Sequence, residues 1–427
     1  MKVEEQLKND KYNIFQFIKQ VSNLEQNKNI IVFFNNDYEI TQINNILQEN
    51  IEYHAMFNNF KFDLWFLNNK EKLQKSIVFV EVNEINEKTK NRINKLREYS
   101  KEIIIQFNPN IALEKVKEYA KEIKTNAIIG YTNYETPDLR RPIMLLGKNF
   151  EYKRINNRLK ILAMIHTYNE EDIIQTTLEY LMTQGIDVYV LDNWSTDTTF
   201  RKVQEVQKKY PDRITLKKFP DNKPEGNDYN WTSQLHETER LSKILDYDWY
   251  IHYDADEIRM SPFPNTTLAD FINFVDTLGY NAIDTTVLNF RMTDKQDNIF
   301  GKNTYFELGR RPTFFMQTKT WKKCQDVDLA TTGGHLAQFE NQKVYPIKIL
   351  NKHYPLRNIE QAEKKVFQDR LPRFEKEKKE KGWHGHYDKI AETKDFIYEK
   401  ENLHKFDDNA LEHYTLELIS GIGIDKT

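Results

Sequence analysis

Cysteine is almost missing from this chain of 427 residues: Cys324 stands alone. A single thiol excludes an internal disulfide framework and any zinc site built on cysteines. It fits a reducing compartment. Glycine is scarce as well, 13 residues in all, and none falls in a Gly-x-Gly-x-x-Gly or Walker-type loop, so phosphate cradles of those kinds are excluded. No apolar run approaches the roughly 20 residues that span a bilayer. The first eleven residues are charged and carry no apolar segment of secretory type. These absences predict a cytoplasmic protein without a transmembrane segment and leave peripheral membrane contact open. An excess of one charge is lacking too. Lys and Arg number 62 against 65 Asp and Glu, a net charge of -3, which gives no electrostatic reason to expect nucleic acid as a partner.

What is present suffices for real cores: 39% hydrophobic and 13% aromatic residues. The length suggests two or three domains. Between residues 29 and 131, short apolar runs alternate with charged helical stretches. The runs predict strands at 30–34, 76–80, 103–107 and 127–129, with amphipathic helices at 84–99 and 111–123. Such alternation argues for a small α/β domain with a largely parallel sheet. It holds no catalytic constellation, so binding or scaffolding is its default role. Residues 132–158, with Pro137, Pro142 and a basic run, read as a linker. The expected division is 1–150 for this domain and linker, 151–357 for a second α/β domain, and 358–427 for a mainly helical extension.

The second pattern predicts strands at 161–165, 188–191 and 214–216, helices at 170–183, 198–209 and 230–245, and a strand at 249–251. Gly185 stands where a helix C-cap glycine belongs. Farther on, 268–278 reads as helix, 282–290 as strand, 305–349 as short β and loop, and 358–381 as a Lys/Glu-rich helix broken at Pro372. The charges of that last helix read as a solvated face.

Three predicted strands of this second domain end in polar clusters. The first is His166-Thr167-Tyr168-Asn169-Glu170-Glu171, the second Asp192-Asn193-Trp194-Ser195-Thr196-Asp197, the third Asp254-Ala255-Asp256-Glu257. In an open parallel sheet ligands bind beyond the carboxyl ends of the strands, so three such clusters point at one crevice. Carboxylates crowded at Asp254, Asp256 and Glu257 repel one another unless something positive joins them. The simplest such partner is Mg²⁺ or Mn²⁺, which keeps positions open for phosphate oxygens. Asp-x-Asp on its own is weak, since it recurs at Asp246/Asp248 and Asp326/Asp328. The ordered set of three clusters is what carries weight.

That ordered set resembles family 2 glycosyltransferases of the GT-A fold. Thr167, Asn169 and Glu170 match their opening Thr-x-Asn-Glu. Asp192, Ser195 and Asp197 match the Asp-x-x-Ser-x-Asp turn, and Asp254 and Asp256 with Glu257 match the Asp-x-Asp metal motif. Lys352-His353-Tyr354-Pro355-Leu356-Arg357, Glu360-Gln361-Ala362 and Gly382-Trp383-His384 resemble the C-terminal region of bacterial members. The resemblance covers about residues 160–390 and leaves 1–150 outside. It implies a Rossmann-like mixed sheet, a nucleotide-diphosphate sugar donor, a glycan, lipid-linked or protein acceptor, and Mn²⁺ or Mg²⁺ as cofactor. It places Thr167, Asn169, Glu170, Asp192 and Asp254 on the nucleotide sugar, and Asp254, Asp256 and His353 on the metal.

The residues themselves agree, because carboxylates accept from base N–H groups and ribose hydroxyls. Asp197 reads better as a turn and helix cap. His335, and His384 with His386, are weaker ligand candidates, and Arg310 and Arg311 read either as a phosphate clamp or as surface. For the base that deprotonates an acceptor hydroxyl, Asp328 and Asp326 are the first candidates, with Glu307 behind them. The expected reaction is a metal-dependent, inverting sugar transfer in cell-surface glycan or glycoconjugate synthesis. The alternative is a catalytically silent GT-A-like binding module in a glycan-assembly complex.

Overall fold

A computed structural model describes residues 29–33, 51–54, 61–123, 128–132, 141–147, 150, 152–156, 158–224, 229–263, 265–302, 305–307, 316–374, 390, 392–393 and 395–407. The chain divides into two compact units: residues 1–154 with 346–348 and 410–427, and residues 155–345 with 349–409.

The first unit is built on six strands. They are β1 (Asn29–Phe33), β2 (Ile51–His54), β3 (Ser76–Val82), β4 (Glu102–Phe107), β5 (Ile128–Thr132) and β6 (Arg141–Gly147), in the spatial order β2-β1-β3-β4-β6-β5. The first four are parallel, and β6 runs antiparallel to both its neighbours. Every residue of β3 and β4 is buried, which is why these strands read as unbroken apolar runs rather than alternating ones. Among the described residues four helices accompany them, α1 (Lys61–Asn68), α2 (Lys70–Gln74), α3 (Glu87–Tyr99) and α4 (Leu113–Glu122). Asn86 starts α3 by accepting from the Thr89 N–H at 3.0 Å, the usual N-cap bond. Ile93, Leu96, Val116 and Tyr119 pack against Ile31, Val78, Val80, Ile103 and Ile105. The expected linker is partly a strand, since β6 lies inside 132–158. The run Ile143–Leu146 is apolar and buried, and the neighbouring prolines mask it in the sequence.

The second unit carries the larger, mixed sheet in the order β11-β15-β12-β14-β10-β7-β8-β9. Here β7 is Ile161–Thr167, β8 Asp187–Asp192, β9 Ile214–Lys218, β10 Trp249–Asp254, β11 Glu257–Met260, β12 Ala282–Phe290, β14 Met316–Lys322 and β15 Val344–His353. Strand β13 (Tyr305–Glu307) pairs with β12 and with β16 (His404–Lys405). Strands β7 to β10 are parallel, with β14 inserted antiparallel between β10 and β12. Helices α5 (Ile174–Thr183), α6 (Thr199–Lys209), α7 (Trp231–Ile244) and α8 (Leu268–Thr277) supply the connections. The predicted mixed α/β sheet is the one observed. The stretch 305–349, expected as short β and loop, holds two long strands, β14 and most of β15.

Past β15, α9 (Ile359–Glu363) runs straight into a π-helical segment, Lys364–Arg370. The remainder of the expected C-terminal extension, 375–389 and 408–427, lies outside the described residues. Among the described residues no helix is long and apolar enough to cross a membrane.

Candidate functional site

The register of the parallel strands sets the site. Thr167 is paired with Asp192, and His166 with Asp254. Three strand ends therefore deliver Thr167, Asp192 and Asp254 to one edge of the sheet, the carboxyl edge where α/β sheets bind ligands. Each sits there for a local reason. The apolar run ahead of it fills the core, and the first polar residue emerges where the strand stops being covered.

Asp192 is fully buried. Its Oδ2 accepts from the Ser195 N–H at 3.1 Å, while Oδ1 has no hydrogen-bond partner among the described residues. Burial pushes its carboxyl pKa up, against the bond from Ser195. Thr167 Oγ1 is likewise buried without a partner. The turn after β8 is tightly held. Trp194 sits at φ 59°, an uncommon place for a bulky residue. Its indole N–H donates to the Pro220 carbonyl at 2.9 Å, and Lys218 stacks 4.3 Å from its ring centroid. Asp197 accepts from the Thr199 N–H at 2.9 Å at the start of α6, which is its capping role.

Asn169 is engaged within the protein. Its Oδ1 accepts from the Thr196 N–H at 2.8 Å, and its Nδ2 donates to Asp369 at 2.8 Å and Thr196 Oγ1 at 3.1 Å. It fastens the β8 turn to the start of the crevice. Glu170 is buried in a nest of cations. Arg357 donates to Oε2 at 2.7 Å, and Lys365 and Arg370 reach Oε1 at 2.8 and 3.4 Å.

The acids after β10 have separate fates. Asp254 Oδ2 accepts from Lys319 at 2.6 Å. Asp256 Oδ2 accepts from Lys365 at 2.9 Å, and its Oδ1 lies 3.6 Å from His353 Nε2. Burial would raise both carboxyls, but Lys319 and His252 at Asp254, and Lys365, His353 and Arg357 at Asp256, hold them well below the usual carboxylate range. Glu257 is not part of the open cluster. It is buried on β11 and bound by Arg259 at 2.6 and 2.9 Å.

His353 comes in from the end of β15, paired in register with both Glu257 and Asn289. Its Nδ1 faces Asn289 Oδ1 at 2.7 Å. An amide oxygen only accepts, so Nδ1 carries a proton and Nε2 is the nitrogen that faces Asp256. A histidine oriented through its other nitrogen is the usual metal-ligand arrangement. Among the described residues no three His, Cys, Asp or Glu side chains form a ready cation site. An ion held by one or two carboxylates and completed by substrate phosphates does not need one. The donor set thus fits Mg²⁺ or Mn²⁺ at Asp256 and His353. Asp254 is held off by Lys319.

Asp326 and Asp328 are not brought here. Strand β14 runs antiparallel to β10, with Lys322 opposite Trp249, so the chain leaves β14 at the opposite end of the sheet. There Asp326 accepts from the Glu340 N–H at 2.6 Å and Asp328 from the Thr331 N–H at 2.9 Å. They are turn residues. Arg310, Arg311, His384 and His386 lie outside the described residues. His335 is exposed, its Nδ1 beside the Gln317 amide at 3.1 Å.

The residues missed by the sequence reading are basic. Lys319, Lys365, Arg357, Arg370 and Arg373 line this edge. Arg373 lies 3.6 Å above the Tyr168 ring and bonds Asn193 beside Asp192. The expected solvated face of 358–381 is therefore wrong for Lys365 and Arg373, both buried. In a π-helix, residues five apart share a face, and Lys365 and Arg370 both reach Glu170.

Residues 163–232 match the family model for glycosyl transferase family 2, a stretch running from β7 to the first turn of α7. No curated protein sequence matches the chain. Solved structures that resemble it include the mannosyltransferase PcManGT from Pyrobaculum calidifontis, in complex with GDP-Man and Mn²⁺. That likeness is 17% identical, covers 46% of this chain and 57% of that one, and has a TM-score of 0.27. TarS 1-349 from S. aureus, in complex with UDP, is 16% identical over 50% of this chain and 67% of that one, TM-score 0.28. Glucosyl-3-phosphoglycerate synthase from Mycobacterium tuberculosis is 16% identical over 31% and 44%, TM-score 0.21. This chain thus spans 57% of the mannosyltransferase's length. The segment that builds the first two strand ends of the crevice, residues 163–232, is thus the part of the chain that is similar to glycosyl transferase family 2.

Proposed function

We propose that the protein transfers a sugar from a nucleotide-diphosphate donor to an acceptor hydroxyl, with inversion and with a divalent cation. The observation that carries this reading is the convergence of Thr167, Asp192 and Asp254 on one sheet edge, with Asp256 and His353 beside them. Asp192 Oδ1 and Thr167 Oγ1, both without a hydrogen-bond partner, suit the base and ribose of a nucleoside. Mg²⁺ or Mn²⁺ at Asp256 and His353 would supply charge compensation for the departing diphosphate. Arg357, Lys365 and Arg370 bring further positive charge to the same place.

In the transfer, the acceptor oxygen attacks the anomeric carbon, the bond from that carbon to the diphosphate oxygen breaks, and the hydroxyl proton passes to a base. Asp326 and Asp328 each accept from a backbone N–H in the segment after β14. Glu307 stands at the proper end, since Asn289 pairs in register with both Glu307 and His353. Arg291 orients it, at 2.9 Å and 3.0 Å. Glu307→Gln should then lower kcat by about 10²–10⁴ while leaving nucleotide binding intact. The acceptor class, whether glycan, lipid-linked or protein, is what the family resemblance implies.

Thermal shifts with UDP, GDP, CDP and dTDP sugars, each with and without Mn²⁺, test the reading. A nucleotide at 100 times its Kd adds about 2.7 kcal/mol, and one nucleotide should stand out, in the presence of metal. Asp256→Asn should keep the fold and cut turnover on the order of 10²–10³. A folded protein that no nucleotide shifts would sink the proposal and favour a binding module.

A further inference from the structure

The two aspartates of the crevice are already neutralised from within. Lys319, on β14, and Lys365, in the π-helical segment, are buried. Their ammonium groups lie 2.6 Å from Asp254 and 2.9 Å from Asp256. The ion pairs around them balance. Glu170, Asp172, Asp254, Asp256 and Glu257 face Arg259, Lys319, Arg357, Lys365 and Arg370. Five acids and five bases leave the buried cluster near neutral.

That balance constrains what can enter. A divalent ion alone would make the cluster doubly positive. Ligation at about 2.1 Å from an aspartate oxygen would also set it against an ammonium group already bound to the same carboxylate. Lys365 would be left with Glu170 Oε1 alone, which it already touches at 2.8 Å and which Arg370 also approaches. A buried ammonium without its counter-ion is strongly disfavoured. The diphosphate of a nucleotide sugar, with its two negative charges, would alone leave the cluster doubly negative, and that of a free nucleoside diphosphate more so. Only the two together keep it neutral, and the diphosphate is also the anion that can receive a displaced lysine.

We propose that Lys319 and Lys365 serve as resident counter-cations of Asp254 and Asp256, which keep a divalent ion out until a nucleoside diphosphate arrives to take the ammonium groups over. This rests on the nucleotide-sugar reading of the site and adds a positioning role for two lysines. By linkage, metal and nucleotide raise each other's affinity by the same factor.

The test is Mn²⁺ binding, followed by the electron paramagnetic resonance signal of free Mn²⁺, on the full chain. Wild-type protein should bind Mn²⁺ weakly alone and about 5- to 150-fold more tightly with the nucleoside diphosphate that fits. Lys365→Met removes one competing charge and should bind Mn²⁺ at least about tenfold more tightly without nucleotide, while losing most of the coupling. Lys319→Met, on a different element, should do the same through Asp254. Nucleotide binding together with Mn²⁺ affinity unchanged in both variants would overturn the role of the lysines alone. Wild-type Mn²⁺ affinity indifferent to nucleotide would do so without any variant. Binding of none of UDP, GDP, CDP or dTDP, with or without Mn²⁺, would remove the glycosyltransferase reading and this inference with it.

Discussion

Glu257 shows how far neighbours in sequence can differ in task. It follows Asp256 directly and counts as a third acid of the metal motif when only the sequence is read. In the fold it lies on β11 and faces Arg259, which is fully buried. Arg259 in turn donates to the His252 carbonyl at 2.8 Å and stacks 4.5 Å from the Tyr253 ring. The pair therefore pins the loop that presents Asp254 and Asp256. Breaking a buried ion pair by neutralising one partner costs about 3–5 kcal/mol, because the other charge is left uncompensated. Glu257→Gln should lower the unfolding free energy by that much, read as a lower urea midpoint at unchanged m, and double replacement of Glu257 and Arg259 by apolar residues should recover part of it. A Glu257→Gln variant as stable as wild type would mean that the pair is dispensable.

At the scale of elements, strand ends are legible and cross-sheet neighbours are not. Thr167, Asp192 and Asp254 could be placed together because each closes an apolar run, and parallel strands align their ends. Gly185 was legible for a local reason. It follows α5 at φ 76°, with its N–H on the Met182 carbonyl and that of Ile186 on the Leu181 carbonyl, the Schellman ending. A side chain there is strained by the left-handed backbone, at about 1–2 kcal/mol, and its Cβ would come within 3.0 Å of Ala269 Cβ. Gly185→Ala should lower the Tm accordingly, with nucleotide affinity unchanged, as differential scanning calorimetry would show. Lys319 carried no such signal. It meets Asp254 only because β14 is inserted antiparallel beside β10, a pairing of residues 65 apart. The basic face of 359–373 was hidden differently: α-helical spacing assigns its charges to solvent, whereas the π-helical segment turns Lys365 and Arg370 onto one acid. Where Asp326 and Asp328 lie depends on the direction of β14, which nothing in the sequence gives.

For the molecule as a whole, the polar groups beneath the crevice tie stability to acidity. His166 is enclosed below the sheet edge, between Gln234 at 2.7 Å and Thr238 at 2.6 Å. Burial lowers its pKa to about 4, against partial support from Gln234, Asp254 and Glu237. His252, fully buried, is held well below its ordinary value as well, by burial first. An unfolded chain takes up these protons near pH 6.5, while in the folded chain His166 waits until about pH 4. In that interval the unfolded state binds more protons, so stability falls as pH falls, by about 1.4 kcal/mol per pH unit for each such histidine. Asp192 and Asp369, whose pKa values burial raises, act in the opposite sense. The Tm should thus drop between pH 7 and pH 5, and His166→Gln, which retains a hydrogen-bonding side chain but no titration, should remove roughly half of that slope. Melting curves at pH 7, 6 and 5 for both proteins decide it: equal slopes would mean that His166 protonates in the folded protein as readily as in the unfolded one, and that the floor of the crevice is open to water.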